Sequence, residues 1–244
     1  MIPRVIHYCW FGGNPLPPLA VKCIESWKRY LPDYEIKEWN ENNFDVNMIP
    51  YIHAAYLVKR YAFVSDYARL WILYHEGGLY FDTDVEVIKP MNDIIAKGPF
   101  MGREKGEISY PIAPGLGLGV NAGHEFYKEL LDFYLNLEFI LPNGSYNKKT
   151  IVEYTTKLLE QHGLSSGDKL EKIKGIWMYP AEYFCPIDYI TGELRITDNT
   201  YTIHHYMSSW ISKGEMMYKR LAKVIGKKNA HHLANLLKVI RVIK

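Results

Sequence analysis

Apolar runs of strand length alternate with amphipathic runs of helix length through the first part of the chain. Val5 to Trp10 reads as a buried strand, and Phe11-Gly12-Gly13-Asn14-Pro15 as the loop that leaves it. Pro18 opens a helix running to about Tyr30, and Tyr34 to Trp39 is a second strand, stopped by Asn40-Glu41-Asn42-Asn43. A longer helix follows from about Ala62 to His75, with Leu70, Leu73 and Tyr74 among its apolar positions, and Gly77-Gly78 closes it. Leu79-Tyr80-Phe81 is then a short third strand. The order strand, helix, strand, helix, strand predicts an α/β fold with a mostly parallel central sheet flanked by helices. Further on come Val85 to Ile88, Phe100 to Arg103, a Gly-rich loop at 115–119, and helices near His124 to Phe139 and Thr150 to His162. There is no internal repeat and no low-complexity segment.

The third strand ends in Asp82-Thr83-Asp84. Strand ends of open α/β sheets form the lip where ligands bind, so these acids stand where chemistry is expected. On an extended chain, alternation sends Asp82 and Asp84 to one side and Thr83 to the other. Two hard oxygen donors on one side can share a Mg²⁺ or Mn²⁺ with a diphosphate. An isolated D-x-D is equally a pair of acids in a solvated turn, so the context decides.

Composition narrows the surroundings. The 244 residues are 48% apolar, enough for one good-sized core. Cys9, Cys23 and Cys185 are odd in number and lack C-x-x-C spacing, which argues against a disulfide framework or a zinc site and for a reducing cytoplasm. The start of the chain has no apolar leader pattern, and no run approaches a membrane span. The net charge of +2 conceals a division. From Lys213 onwards there are nine Lys/Arg and one Glu, leaving 20 basic against 26 acidic residues before it. In that last stretch Leu233, Leu236, Leu237 and Ile240 recur at helical spacing, with Lys238, Arg241 and Lys244 off the stripe. Such a segment suits reversible docking on an anionic membrane surface, placing the protein peripherally on the cytoplasmic face; a helix packed on the body or an oligomer contact is the other reading. Nucleic acid is not expected as a partner, because the body carries the opposite charge and no binding motif.

Four blocks in fixed order carry a family resemblance: Ile6-His7-Tyr8-Cys9-Trp10-Phe11-Gly12-Gly13, Ala62-Phe63-Val64-Ser65-Asp66-Tyr67-Ala68-Arg69, Gly77 to Asp84, and His204-His205-Tyr206-Met207-Ser208-Ser209-Trp210. The chain resembles the family 32 glycosyltransferases, the D-x-D sugar-binding-region group that includes capsular polysaccharide enzymes and yeast initiating mannosyltransferases. It is more distantly similar to the large clostridial glucosylating toxins. The resemblance implies a GT-A-type nucleotide-diphospho-sugar transferase domain over residues 1–212, followed by the basic tail, 213–244.

By that resemblance Trp10 stacks on the donor's base, and Gly12 with Gly13 permits close backbone approach; a plain core role for Trp10 is the alternative. Asp66 and Arg69 lie three apart on one helical face and would hold the transferred sugar's hydroxyls and phosphate side, unless they are a simple ion pair. Asp84 would ligate the metal, while Asp82 reaches ribose and metal-bound water. His205, Ser208 and Trp210 would complete the site as two ligands and a diphosphate contact, with His204 in place of His205 if the strand register differs. Asn121 is the nearest candidate for a polar residue beside the sugar, although an ordinary loop Asn fits as well.

The implied activity is retaining, metal-dependent transfer of a hexose, galactose or glucose favoured, from a UDP-sugar to a saccharide or lipid-linked saccharide in surface polysaccharide (capsular polysaccharide or lipopolysaccharide) synthesis. The imidazole slightly favours Mn²⁺ over Mg²⁺. A GDP-mannose-dependent mannosyltransferase and a non-catalytic carbohydrate-binding protein are the alternatives. A sugar-phosphate nucleotidyltransferase is disfavoured, since Gly12-Gly13-Asn14-Pro15 lacks the basic residue that a phosphate loop needs.

Overall fold

The computed structural model describes residues 1–106, 109–188 and 191–207, and beyond these only positions 226 and 229. The elements in chain order are β1 (Val5–Cys9), α1 (Pro18–Tyr30), β2 (Glu35–Trp39), α2 (Pro50–Leu57), α3 (Tyr61–Glu76), β3 (Gly78–Tyr80), β4 (Val85–Val87), α4 (Asn92–Ala96), β5 (Phe100–Gly102), β6 (Leu118–Val120), α5 (Glu125–Tyr134), α6 (Ile151–Gln161), β7 (Glu171–Ile173), β8 (Ile176–Tyr179), α7 (Ala181–Phe184) and β9 (Thr202–His204).

Seven strands form the central sheet in the order β2-β1-β3-β6-β5-β8-β7, and β4 pairs with β9 in a separate ribbon. β1 is parallel to β2 and β3, β5 is parallel to β8, and β6 lies antiparallel between β3 and β5. β7 is also antiparallel to its neighbour. Only β6 and β7 therefore run against the other five strands. β1, β3 and β5 deliver their carboxyl ends to one edge, and that edge carries the site.

Side-chain alternation sorts the core into two faces. Ile6, Tyr8, Leu79 and Phe81 pack on the side of α1 and α4, whereas Cys9, Tyr80, Leu118 and Val120 pack on the side of α2, α3, α5 and α6. α3 is the central element of the second side. It needs no side-chain cap, and it stops at Gly77, whose φ of +67° lets the N–H return to the Leu73 carbonyl. A β-carbon at Gly77 would lie 2.7 Å from the Ala122 nitrogen, so close approach of backbone also requires the glycine.

Two expected boundaries move. α5 ends at Tyr134 rather than Phe139, because the chain turns there and sets Phe139 edge-on against Tyr51 at 5.4 Å. The D-x-D is not extended strand. β3 stops at Tyr80, and the Val85 N–H closes a turn onto the Asp82 carbonyl at 3.0 Å. Among the described residues no helix is long and apolar enough to cross a membrane.

Candidate active site

A cleft of about 890 Å³ opens at the carboxyl ends of β1, β3 and β5, and Trp10, Asp66, Arg69, Asp82, Asp84 and Glu104 all line it. The turn after β3 aims both D-x-D carboxylates into it. They converge with His204, the last residue of β9, and one donor atom from each of the three lies within 4.8 Å of the others.

Asp82 belongs to a buried charged wall. Arg69 places Nη1 3.3 Å from Asp82 Oδ2 and Nη2 3.2 Å from Oδ1, a forked contact, while the same Nη2 lies 3.0 Å from Asp66 Oδ1. The Tyr80 hydroxyl donates to Asp82 Oδ1 at 3.2 Å, and burial keeps that phenol protonated. The Arg69 guanidinium also sits 4.9 Å from the Tyr80 ring centre. Asp66 Oδ2 accepts the N–H of Ile151, the first residue of α6, where the helix favours negative charge. Burial pushes the Asp66 carboxyl up to about 6 against the pull of Arg69.

Asp84 is held from the other side. Its Oδ1 lies 3.3 Å from His204 Nε2, and its Oδ2 accepts the Met207 N–H at 2.7 Å. Burial alone would raise this carboxyl; the His204 charge and these hydrogen bonds outweigh it and hold it at about 2. His204 is correspondingly raised, since Asp84 more than offsets the burial that disfavours its charge. The ring's Nδ1 is buried with no hydrogen-bond partner.

Three further residues shape the site. Gly115 gives its carbonyl to the Asp82 N–H at 3.0 Å, and a β-carbon there would stand 1.9 Å from Asp82 Oδ2. Tyr80 is legible as the position two before Asp82, on the same face. Glu104 follows β5 and so reaches the same lip as Asp82; an acid just past a strand end was its signal. Its carboxyl is raised by burial.

Residues 17–101, about a third of the chain, match the family described as glycosyltransferase sugar-binding region containing DXD motif. Over that stretch the chain is similar to the DXD glycosyltransferases. It is 32% identical over 111 residues to inositol phosphoceramide mannosyltransferase 1 of Schizosaccharomyces pombe, a match covering 41% of this chain and 33% of that protein. The chain thus spans about a third of the length of that curated relative. It is 24% identical over 222 residues to uncharacterized glycosyltransferase L373 of Acanthamoeba polyphaga mimivirus, covering 86% of this chain and 84% of that one. The solved PaToxG glycosyltransferase superposes with a TM-score of 0.50 at 19% identity, over 66% of this chain and 69% of that one. The fold is of the GT-A type.

The site residues expected from sequence separate into two groups. Asp66, Arg69, Asp82 and Asp84 come together in the cleft, with Trp10 at its wall, half-buried and donating Nε1–H to the Asn14 carbonyl at 2.6 Å. Gly12, with φ +96°, gives its N–H to Glu41 at 3.0 Å, and its missing side chain makes room for the Tyr61 ring, which would stand 2.3 Å from a β-carbon. The close approach it permits is therefore to Tyr61. His205 is corrected in favour of His204: the register Val85 to His204 turns the His205 ring to Glu86, with Nε2 2.7 Å from Oε2. Asn121 is also corrected. β6 runs antiparallel to β3, pairing Leu118 with Tyr80 and Val120 with Gly78, so Asn121 emerges at the edge of the sheet opposite Asp82. Ser208 and Trp210 lie outside the described residues, as does the stretch from Lys213 except positions 226 and 229.

The charges at the Asp82 and Asp84 end define what the cleft can hold. Asp66, Asp82 and Asp84 face two positive groups, Arg69, committed to the first two, and the His204 ring, committed to the third. A diphosphate brought here meets a surplus of negative charge, and a divalent cation removes it. Two carboxylates and an imidazole nitrogen within 4.8 Å are a donor set that fits Mn²⁺ or Mg²⁺.

Proposed function

We propose that the protein is a retaining, metal-dependent hexosyltransferase that moves galactose or glucose from a UDP-sugar to a hydroxyl of a saccharide or lipid-linked saccharide acceptor. The observation that carries this reading is the convergence of Asp82, Asp84 and His204 on one point of a cleft large enough for a nucleotide sugar. Asp84 and His204 hold the cation, and Asp82 faces the donor's ribose. When bound, the cation supplies positive charge against the diphosphate as it departs, and the nitrogen donor favours Mn²⁺. Arg69 and Tyr80 keep Asp82 oriented and unable to swing into the sugar's space. Trp10 offers an indole face at the cleft wall for the base. By the family motif, Ser208 would add a hydroxyl ligand to the cation and Trp210 would contact the diphosphate.

Release of nucleoside diphosphate from a panel of UDP- and GDP-sugars tests this, with Mn²⁺ or with EDTA, for the native chain and Asp84→Ala. Turnover of a UDP-hexose that requires both metal and Asp84 is the expected result. No turnover of any donor, with sugar binding retained, overturns it in favour of a carbohydrate-binding role. A GDP-mannose donor is the second reading, favoured by the name of the Schizosaccharomyces pombe relative, and the same panel separates the two. The basic tail is proposed to dock on anionic lipid beside a lipid-linked acceptor. Unchanged binding to anionic vesicles after deletion of everything past Ser212 would overturn that part.

A further inference from the structure

His204 stands between two sets of donors. On one side are the DXD acids, reached by Nε2. On the other, Glu104 and Cys185 each bring a donor atom within 4.8 Å of a nitrogen of the same ring and of each other. The three come from separate parts of the fold: just after β5, just after α7, and the end of β9. With Nε2 on Asp84, Nδ1 is the nitrogen left for the second set, and it is the buried ring atom without a partner. The Tyr206 hydroxyl lies 2.9 Å from Cys185 Sγ and 3.4 Å from Glu104 Oε2, so thiol and carboxylate already converge on one oxygen-sized point.

We propose that Glu104, Cys185 and His204 form a second cation site, selective for a thiophilic divalent ion such as Zn²⁺, on the opposite side of the His204 ring from the DXD acids. Sulfur, imidazole nitrogen and carboxylate oxygen are the donor types zinc takes, and three protein ligands leave a fourth position open. A thiolate ligand selects against Mn²⁺ and Mg²⁺, which separates the two sites chemically. The contact from His204 Nε2 to Asp84 is the outer-shell arrangement of a metal-ligating histidine: one nitrogen binds the ion while the other donates to a carboxylate, fixing ring and tautomer. Binding displaces the thiol proton and the Nδ1 proton of the charged His204 ring to solvent, and the Tyr206 hydroxyl either moves aside or takes the open position. An occupied second site also ties down the ring that the DXD acids would share. Zinc would then oppose Mn²⁺-supported turnover, a consequence that rests on the sugar-transfer reading, whereas cation binding itself does not.

Cobalt substitution tests the site without any activity. Titrating the native chain with Co²⁺ is expected to give a near-ultraviolet thiolate-to-cobalt charge-transfer band, saturating at one equivalent and erased by one equivalent of Zn²⁺. Cys185→Ser abolishes the band, while cobalt bound at the DXD acids remains detectable as binding without it. Cys9 lines the cleft near Asp82, so Cys9→Ser is the control and is expected to keep the band, while Cys23 is buried on the far side of the sheet. No band in the native chain, or a band that survives Cys185→Ser, overturns the proposal. Should Cys185→Ser fail to fold, Glu104→Gln decides: the band is kept but cobalt affinity falls at least tenfold, and unchanged affinity overturns the site.

Discussion

The two walls of the cleft treat their charges differently. On the Asp82 wall the donors and acceptors largely saturate one another: Arg69 serves Asp66 and Asp82, Tyr80 serves Asp82, and the start of α6 serves Asp66. On the Asp84 wall the count does not close, because His204 keeps a buried nitrogen without a partner while Glu104 and Cys185 stand within reach. A saturated buried network fixes geometry; an unsaturated one has capacity left for a ligand. The first wall chiefly fixes Asp82 in place, with the carboxylate's remaining lone pairs turned to the cleft, and the second is where a ligand can add most bonds.

The largest effect should come from breaking the saturated wall. Arg69→Ala leaves Asp66 and Asp82 facing each other with no counter-charge, and removing one partner of a buried ion pair costs about 3–5 kcal/mol. Urea unfolding would read that loss, and Arg69→Lys should recover only part of it, since an ammonium cannot fork to both acids. Next in size is a pH effect from the layer beneath. His7, two residues before Cys9 on the same face, takes the Trp39 indole N–H on Nδ1 at 3.0 Å and so gives its Nε2 proton to the Gly77 carbonyl, also at 3.0 Å. Burial lowers its pKa to about 4. The neutral ring is favoured in the fold, so this stability is present above the unfolded value near 6.5. As the pH falls the unfolded chain takes up the proton first, and about 3 kcal/mol is lost between pH 6.5 and 4. Denaturant midpoints across that range check it, and His7→Gln should flatten the dependence.

The same contrast explains what was legible in the chain. β1 and β3 are short apolar runs, β2 alternates charged and apolar residues between Pro32 and Asn40, and α3 ends at a glycine pair, so the half that builds the saturated wall reads directly. α2 does not: Tyr51, Ile52 and Ala55 are buried, but Pro50 to Leu57 is apolar nearly all round and shows no stripe. β7 and β8 sit at the sheet's far edge, where Glu171-Lys172-Ile173 carries no strand pattern. The site failed in sequence where direction or register decided it. A Gly-rich loop does not reveal that β6 runs backwards, which carries Asn121 away from the sugar's side of the sheet. Adjacent histidines in a strand point to opposite faces, and only the pairing of β9 with β4 tells which one enters the cleft. The convergence of Asp82 and Asp84 was anticipated, yet a turn produces it instead of an extended chain.

A smaller perturbation would shift the framework without dismantling it. Gly115→Ala places a methyl where Asp82 Oδ2 now lies, and Arg69 and Tyr80 resist the carboxylate's retreat. Displacement of a positioned group by about 1 Å can cost roughly 100-fold in rate. Donor turnover should fall by about that factor while far-ultraviolet circular dichroism and the unfolding midpoint change little. Retained turnover would mean that Asp82 is not needed where the wall holds it.

The smallest effects discriminate most sharply, because they compare neighbours. His204→Ala removes the nitrogen shared by the two donor sets, and Mn²⁺ affinity, read from the free-ion resonance signal, should weaken by at least the 10- to 100-fold that even an outer-shell partner commands. His205→Ala removes a ring that lies 2.7 Å from Glu86 Oε2, which Lys22 also approaches at 2.8 Å. Loss of such a partly exposed contact costs about 0.2–1 kcal/mol of stability and leaves metal affinity where it was. The order of the two results matters more than their size. If His205→Ala is the variant that loses the ion, then β9 shifts by one residue when the cation binds, and the pairing of Val85 with His204 belongs to the cation-free enzyme alone. A one-residue shift would carry His204 away from Cys185 and Glu104 as well. The same pair of variants therefore decides both which histidine serves the sugar-transfer site and whether the second cation site can exist while the first is filled.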